Sequence, residues 1–173
     1  MNNYNTGANR ELLLAFFLTF SRFEYALKAS GFFKKPNEKR YNTQHPPVVD
    51  PDWDRFAVSL RTCFSANRSE QLALACGYLL ASPPKKQVLL RDGTRWTTAW
   101  GTPVRPQNET DIEFLLKMVR NVRNNLFHGG KYSTEAHEDT ERTERLLRSS
   151  ITVLEECLEL APQVCEHFND ATI

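Results

Sequence analysis

The sequence predicts an all-α protein, an up-and-down helical bundle that carries one small β-hairpin as an insertion. Long segments repeat apolar side chains at three- and four-residue steps, which is the pattern of helices with one buried side. Residues 85–100 differ from it, with a strand, a turn and a strand around Asp92-Gly93, a strong hairpin signal. The chain has 173 residues, of which 40% are hydrophobic, so we expect a single domain over residues 1–173.

The first helix is predicted over residues 9–29. Asn9 is suited to cap its start and Gly31 to end it. Nearly every side of its first half is apolar, so we expect a central helix or one that lies at an interface. Its repeating side chains are Leu13, Phe16, Phe17, Phe20, Phe23 and Leu27.

Residues 31–51 are predicted to form an irregular excursion, because they contain four prolines among polar side chains. A second helix is expected after Asp50-Pro51-Asp52, which is a good helix-start signal. A third, shorter helical segment covers residues 71–80 and stops at Pro83-Pro84. The apolar side of the second helix comprises Trp53, Phe56, Leu60 and Phe64.

The hairpin at residues 85–100 is expected to pack against the helices, because a two-stranded ribbon is marginally stable alone. Trp96 and Trp100 are able to stack on nucleic-acid bases, but packing onto the bundle is the favoured interpretation.

Two long helices complete the prediction. Thr110 is suited to cap a helix that runs to Phe127 and ends at Gly129-Gly130. The last helix is predicted over residues 139–168, with a kink or a break at Pro162, because proline has no N–H to donate. The apolar stripe of the fourth helix comprises Ile112, Leu115, Leu116, Val119, Val122 and Leu126.

The net charge is only +1, which argues against a strongly basic coat for nucleic acid or membranes. This average hides an uneven distribution: residues 109–173 sum to −6, and the rest of the chain is basic. Within that acidic third, residues 114–134 contain no acid and four basic side chains. This local positive segment contains Lys117, Arg120, Arg123 and Lys131.

The sequence also predicts a soluble, cytoplasmic protein with no metal site. The longest apolar stretch, residues 12–20, is shorter than the roughly 20 residues that a membrane-spanning helix needs. No two of the four cysteines have Cys-x-x-Cys spacing, so we expect neither zinc nor a redox motif. Cys157 and Cys165 lie on an apolar face and are expected to be buried thiols.

Arg123 is the unusual member of the fourth helix. On a helical wheel it falls inside the apolar stripe, between Leu116 and Val119. An unpaired buried charge costs several kcal/mol, so an acid, backbone carbonyls, a partner chain or an anionic ligand has to compensate it. A structural ion pair with Glu24 is one such interpretation.

The segment Arg123-Asn124-Asn125-Leu126-Phe127-His128 resembles the signature of HEPN domains (higher eukaryote and prokaryote nucleotide-binding). That family is an up-and-down helical bundle with an Arg, a polar residue, three more and a His near the end of its penultimate helix. The aromatic first helix is also similar, whereas residues 31–51 and the hairpin have no counterpart in the resemblance.

The resemblance implies a metal-independent, cofactor-free endoribonuclease that cleaves single-stranded RNA through attack of its own 2′-OH. His128 would transfer the proton, Arg123 would bind the phosphate, and Asn124 would contact the phosphate or orient His128. Two protomers would form one composite cleft, with their motif helices facing each other across a two-fold axis. Such an enzyme would act as a toxin or defence effector, with a nucleotidyltransferase-type antitoxin as its partner. Residues that would hold flanking phosphates are Arg120, Lys117 and Lys131.

Other interpretations remain open from the residues alone. The Arg-x4-His spacing also occurs at Arg40 and His45, in a proline-bounded loop without a helical stripe, so spacing by itself is weak evidence. His128 could simply cap a helix end, and Lys117 and Arg120 could form a solvated face. The chain would then be a catalytically silent module of the same fold that binds nucleotide, RNA or a protein.

Overall fold

A computed structural model describes residues 9–36, 44–127 and 140–171 of the chain. Over these ranges the protein is mostly helical and has one two-stranded antiparallel sheet, so the predicted class is confirmed. The elements, in chain order, are α1 (Arg10–Ala29), α2 (Trp53–Ser59), α3 (Glu70–Ala81), β1 (Lys86–Asp92), β2 (Arg95–Gly101), α4 (Asp111–Phe127), α5 (Thr140–Leu160) and α6 (Pro162–Asp170).

Helix α1 begins and ends where its sequence signals predict. The side chain of Asn9 accepts hydrogen bonds from the backbone N–H groups of Glu11 and Leu12, at 2.8 and 3.3 Å. Gly31 follows the helix with a φ of +82°, a left-handed conformation that glycine adopts without strain. These two signals fix the ends of α1.

An aromatic cluster joins α1 to α2. The ring of Trp53 stacks on Phe20 and on Phe23, with centroids 5.3 Å apart in both pairs. Phe56 meets Phe23 and Phe32 edge to face, at 5.5 and 5.2 Å. The helix ends at Ser59, so the prediction that one helix carries the apolar side as far as Phe64 is wrong, and turns follow it instead.

The predicted excursion is closed at its base by main-chain pairing. The N–H of Lys34 donates to the carbonyl of Asp50 at 2.9 Å, and the N–H of Asp52 donates to the carbonyl of Phe32 at 2.8 Å. The chain therefore leaves α1 and enters α2 at almost the same place, which keeps the excursion from separating the two helices.

The hairpin does not pack on the bundle as predicted. Its strands pair from Lys86 with Gly101 to Asp92 with Arg95, so the two-residue loop is Gly93-Thr94. Most of the ribbon is exposed, including Trp96, which is 61% exposed; Trp100 is half-buried near the base. Cross-strand pairing and anchoring at the base hold the ribbon, so its outer half projects into solvent.

Pro162 ends α5 and begins α6, which confirms the predicted break. Helix α5 packs against α1, α3, α4 and α6, so it is the central helix of the bundle. Helix α6 returns to α1, where the Nη2 of Arg22 donates to the carbonyl of Phe168 at 2.7 Å. The guanidinium of Arg22 also lies 4.4 Å from the centre of the Phe168 ring.

The cysteines are free thiols with different degrees of burial. Cys76 and Cys157 are buried, Cys165 is half-buried and Cys63 is exposed. Burial raises the pKa of Cys76 to about 11, with nearby Asp111 and Glu156 adding to the effect. Burial also raises the pKa of Cys157 well above its usual value. No helix in the described part of the chain has the length and apolarity needed to cross a membrane.

Candidate functional site

The start of α4 is fixed by a set of polar contacts remote from its motif. Both the N–H and the hydroxyl of Thr110 donate to a carboxylate oxygen of Glu113, at 3.0 and 2.6 Å. The other oxygen of Glu113 accepts from Arg61 at 2.6 Å, which ties the turns after α2 to α4. The contacts with Arg61 and Thr110 lower the pKa of Glu113 to about 2.

Arg123 lies in the last turns of α4 and is half-buried, not fully buried as the helical wheel predicts. Its guanidinium carbon is 5.6 Å from the centre of the Phe20 ring on α1. The apolar stripe runs out here, because Val119 and Val122 are buried but Leu126 is only partly covered. The arginine therefore packs against an aromatic ring at the rim of the apolar stripe.

Asn124 is exposed and contacts Arg123 directly. The Nη1 of Arg123 donates to the Oδ1 of Asn124 at 3.2 Å. Glu24, the acid considered for Arg123, accepts a hydrogen bond from the Nε1 of Trp53 at 3.3 Å instead. Two of the three predicted catalytic side chains are thus adjacent and accessible at the end of α4.

The two other cations of α4 are paired with acids that lie outside the acid-free segment. Lys117 forms an ion pair with Glu109, whose side chain is only 7% exposed. Arg120 lies 3.5 Å from Asp54 of α2, whose side chain is 72% exposed. The Glu109 carboxylate is protected from solvent and the Asp54 carboxylate is not, so Arg120 is more easily released to another anion than Lys117.

A groove of about 410 Å³ runs along the polar flank of α4. One wall is α4 itself, and the other is the base of the hairpin with the loop that follows it. Among the described residues, Asn124 lines this groove and Arg123 does not, so Asn124 joins the Arg123 face to the groove. The polar and charged side chains that line it are Asp54, Lys86, Glu109, Lys117, Arg120, Asn121 and Asn124.

Sequence reasoning missed the role of Asn125. Its Nδ2 donates to the main-chain carbonyl of Lys85 at 2.7 Å, so the motif helix holds the start of the hairpin. On α5, the Nη2 of Arg142 donates to the carbonyl of Pro83 at 3.0 Å and anchors the same segment. A polar residue between two motif positions is the only sequence signal for the first contact, and it does not indicate a partner 40 residues away.

The remaining predicted site residues, His128 and Lys131, lie outside the described residues, as do Gly129 and Gly130. Within the described ranges, no three His, Cys, Asp or Glu side chains form a group able to hold a metal ion. Comparison of the chain with protein-family models, curated proteins and solved structures gives no match. The assignment of a function therefore depends on the residues and their geometry.

Proposed function

We propose that the protein is a cytoplasmic, metal-independent endoribonuclease of the HEPN type that cleaves single-stranded RNA. The observation that carries the proposal is the hydrogen-bonded pair of half-buried Arg123 and exposed Asn124 in the last turns of α4, five and four residues before His128. A guanidinium that rests on an aromatic ring is held in position, and its fork of N–H groups matches the oxygens of a phosphate.

The chemistry needs only groups that these residues supply. The 2′-OH of RNA attacks the adjacent phosphorus, His128 takes or gives a proton near neutral pH, and the 5′ oxygen of the next nucleotide leaves. Arg123 stabilises the negative charge that grows on the phosphate oxygens. The products are a 2′,3′-cyclic phosphate end and a 5′-OH end.

The exposed side of α1 supports a homodimer around this site. Leu14 is 56% exposed, and Phe17 and Tyr25, on the same side of the helix, are also exposed. Phe20, which contacts Arg123, borders this strip. Pairing of two such strips would bring two copies of the α4 end together and form the composite cleft that the resemblance implies.

The test is cleavage of labelled single-stranded RNA in EDTA, with the chemical ends of the products identified. We expect cleavage by the wild type and a loss of about 100-fold or more for His128→Ala and for Arg123→Ala. His45→Ala is the matched control, because His45 has the same spacing from an arginine but lies exposed in a loop. An inactive wild type, or a His128→Ala variant that cuts as well, overturns the proposal.

The dimer and the biological role have separate readouts. Phe17→Glu should give a monomer in sedimentation and lose cleavage, whereas Leu74→Glu, at an exposed leucine on α3, should do neither. Expression of the wild type should slow growth, and His128→Ala or Arg123→Ala should relieve this. A nucleotidyltransferase-type antitoxin, if one accompanies the toxin, should suppress the effect on growth when co-expressed.

A second candidate function is a catalytically silent module that binds nucleotide, RNA or protein. The pairing of Lys117 with the protected Glu109 favours it, because this lysine is committed to the fold and not available to phosphates. It predicts RNA binding without cleavage. Both candidate functions predict a dimer, so the oligomeric state does not distinguish them.

A further inference from the structure

The hairpin formed by β1 and β2 is the most exposed element whose role the proposed function leaves open. Leu89 is 68% exposed and Trp96 is 61% exposed, although both are apolar side chains on a two-stranded ribbon. The strand register places Arg91 opposite Trp96, and Leu89 opposite Thr98, on one face. An uncovered aromatic face of this kind indicates a ligand.

The charge of the hairpin identifies the kind of ligand. Residues 85–106 contain five basic side chains and one acidic side chain. Within the described residues, Lys86, Arg91 and Arg95 have no carboxylate within ion-pair distance, whereas Lys117 and Arg120 of α4 do. The available positive charge of this part of the fold therefore lies on the hairpin, and a second copy of the hairpin would be repelled.

One cross-strand pair combines both features. The guanidinium carbon of Arg91 lies 5.6 Å from the centre of the Trp96 ring, and its Nε donates to the carbonyl of Gly93 at 2.9 Å. Stacking of a base on an aromatic side chain, supported by arginine, is how proteins bind single strands without sequence preference. A protein partner would need a matching acidic surface.

The hairpin is also continuous with the groove beside α4. Lys86 begins β1 and lines that groove, and Asn125 holds the carbonyl of Lys85. A strand of seven residues is roughly 23 Å long, which is long enough for several nucleotides. A chain that enters the groove at Asn124 can continue along the ribbon.

We infer that the hairpin is an arm that binds single-stranded RNA. Trp96 and Arg91 form a stacking platform on one face, and Lys86 and Arg95, on the other face at the base and the tip of the ribbon, contact phosphates. The inference rests on the proposed function, because it takes the bound strand to be the RNA that the α4 site cleaves. It adds a second binding element, which would hold RNA on one side of the scissile bond.

The experiment measures binding and not cleavage, so the two proposals fail separately. The probe is a fluorescein-labelled 2′-O-methyl dodecauridylate, which has no free 2′-OH and cannot be cut by 2′-OH attack. Fluorescence anisotropy with the full chain gives the Kd. We expect Trp96→Leu to raise the Kd about 10-fold and Trp96→Phe, which keeps a ring, to restore most of the affinity.

Charge is tested with Lys86→Ala and Arg95→Ala together. The slope of log Kd against log salt should fall by about 1.4, as expected for two lost phosphate contacts to a single strand. Matched controls are Leu74→Ala and Arg148→Ala, at an exposed leucine on α3 and an exposed arginine on α5. Neither control should change the Kd.

Four outcomes overturn the inference: an unchanged Kd for Trp96→Leu, failure of Trp96→Phe to restore affinity, equal hairpin-dependent binding of poly-glutamate, or self-association that Trp96→Leu abolishes. The last two would assign the face to an acidic protein or to a second copy. Because Trp96 is exposed, these variants are expected to keep the melting temperature of the wild type. Because the probe cannot be cleaved, the Kd is measured independently of any ribonuclease activity.

Discussion

The side-chain amide of Asn125 donates a 2.7 Å hydrogen bond to the main-chain carbonyl of Lys85, so the last turn of α4 is bonded directly to the base of the hairpin. Two elements that are separate in sequence are thereby held at a fixed distance from each other. The candidate catalytic residues and the projecting ribbon share this support.

Asn125→Ala should loosen the hairpin with only a moderate effect on the bundle. Loss of one hydrogen bond of this kind costs about 1 kcal/mol in the free energy of unfolding. Hydrogen exchange should rise in β1 and β2 and stay unchanged in α1. Asn121→Ala is the control, because it makes the same substitution one turn earlier, and equal exchange in both variants would contradict the role of Asn125.

Asp54→Asn should increase the affinity for RNA about two- to threefold. The substitution removes the carboxylate that lies 3.5 Å from Arg120 and also removes a negative charge from the groove wall. The gain is small because an exposed pair of this kind is worth less than about 1 kcal/mol. The anisotropy assay measures it. Glu70→Gln on α3 removes an exposed acid elsewhere, and an equal gain there would show that only net charge matters.

Glu113→Gln should lower stability at neutral pH and have little effect in strong acid. The pKa of Glu113 is lowered to about 2 from an ordinary value of about 4.5, so its stabilisation is present in full above pH 4.5. It is lost as the pH falls toward 2. The difference from wild type at pH 7 should be on the order of 1 kcal/mol, because Arg61 is partly exposed.

Urea unfolding of the Glu113→Gln variant at several pH values measures this change. Glu155→Gln, at an exposed position on α5, should show no such pH dependence. A gap between wild type and Glu113→Gln that is as large at pH 2.5 as at pH 7 would mean that the carboxylate form is not what stabilises the start of α4.

The thiols should react with Ellman's reagent in an order set by burial. Cys63 should react rapidly at pH 7.5, and Cys76 and Cys157 only after unfolding, because both are buried and their pKa values are raised. The Cys63→Ser variant should lose the rapid phase. In native Cys63→Ser, the half-buried Cys165 is the one thiol that is able to react rapidly. Rapid reaction of Cys76 or Cys157 in this variant would contradict their burial.

Much of the fold follows from local signals. Asn9, Gly31 and Pro162 act on their own neighbours, so the bounds of α1 and the break before α6 are predictable from sequence. The position of the hairpin turn is likewise indicated by adjacent residues, Asp92 and Gly93. These features depend on backbone geometry within a few residues, which is the range over which a sequence pattern carries information.

The candidate site was less predictable because its electrostatics depend on tertiary contacts. The acid-free segment around Lys117 and Arg120 is not acid-free in space, since Glu109 and Asp54 reach it from outside. The exposure of the hairpin was also missed, because a pattern of strands does not show what the ribbon packs against. Arg123 lies at the rim of the core and not inside it, since a helical wheel does not show where along the helix its neighbours end.

The contacts between α1 and α6 impose an order on folding. Arg22 finds its carbonyl partner at Phe168, 146 residues further along the chain, and α1 also packs on α5. During synthesis, the side of α1 that faces these helices has no partner until residues 140–170 have left the ribosome. This apolar side of α1 is synthesised before its partners and covered after them, so a nascent chain would present it to chaperones until α5 and α6 emerge.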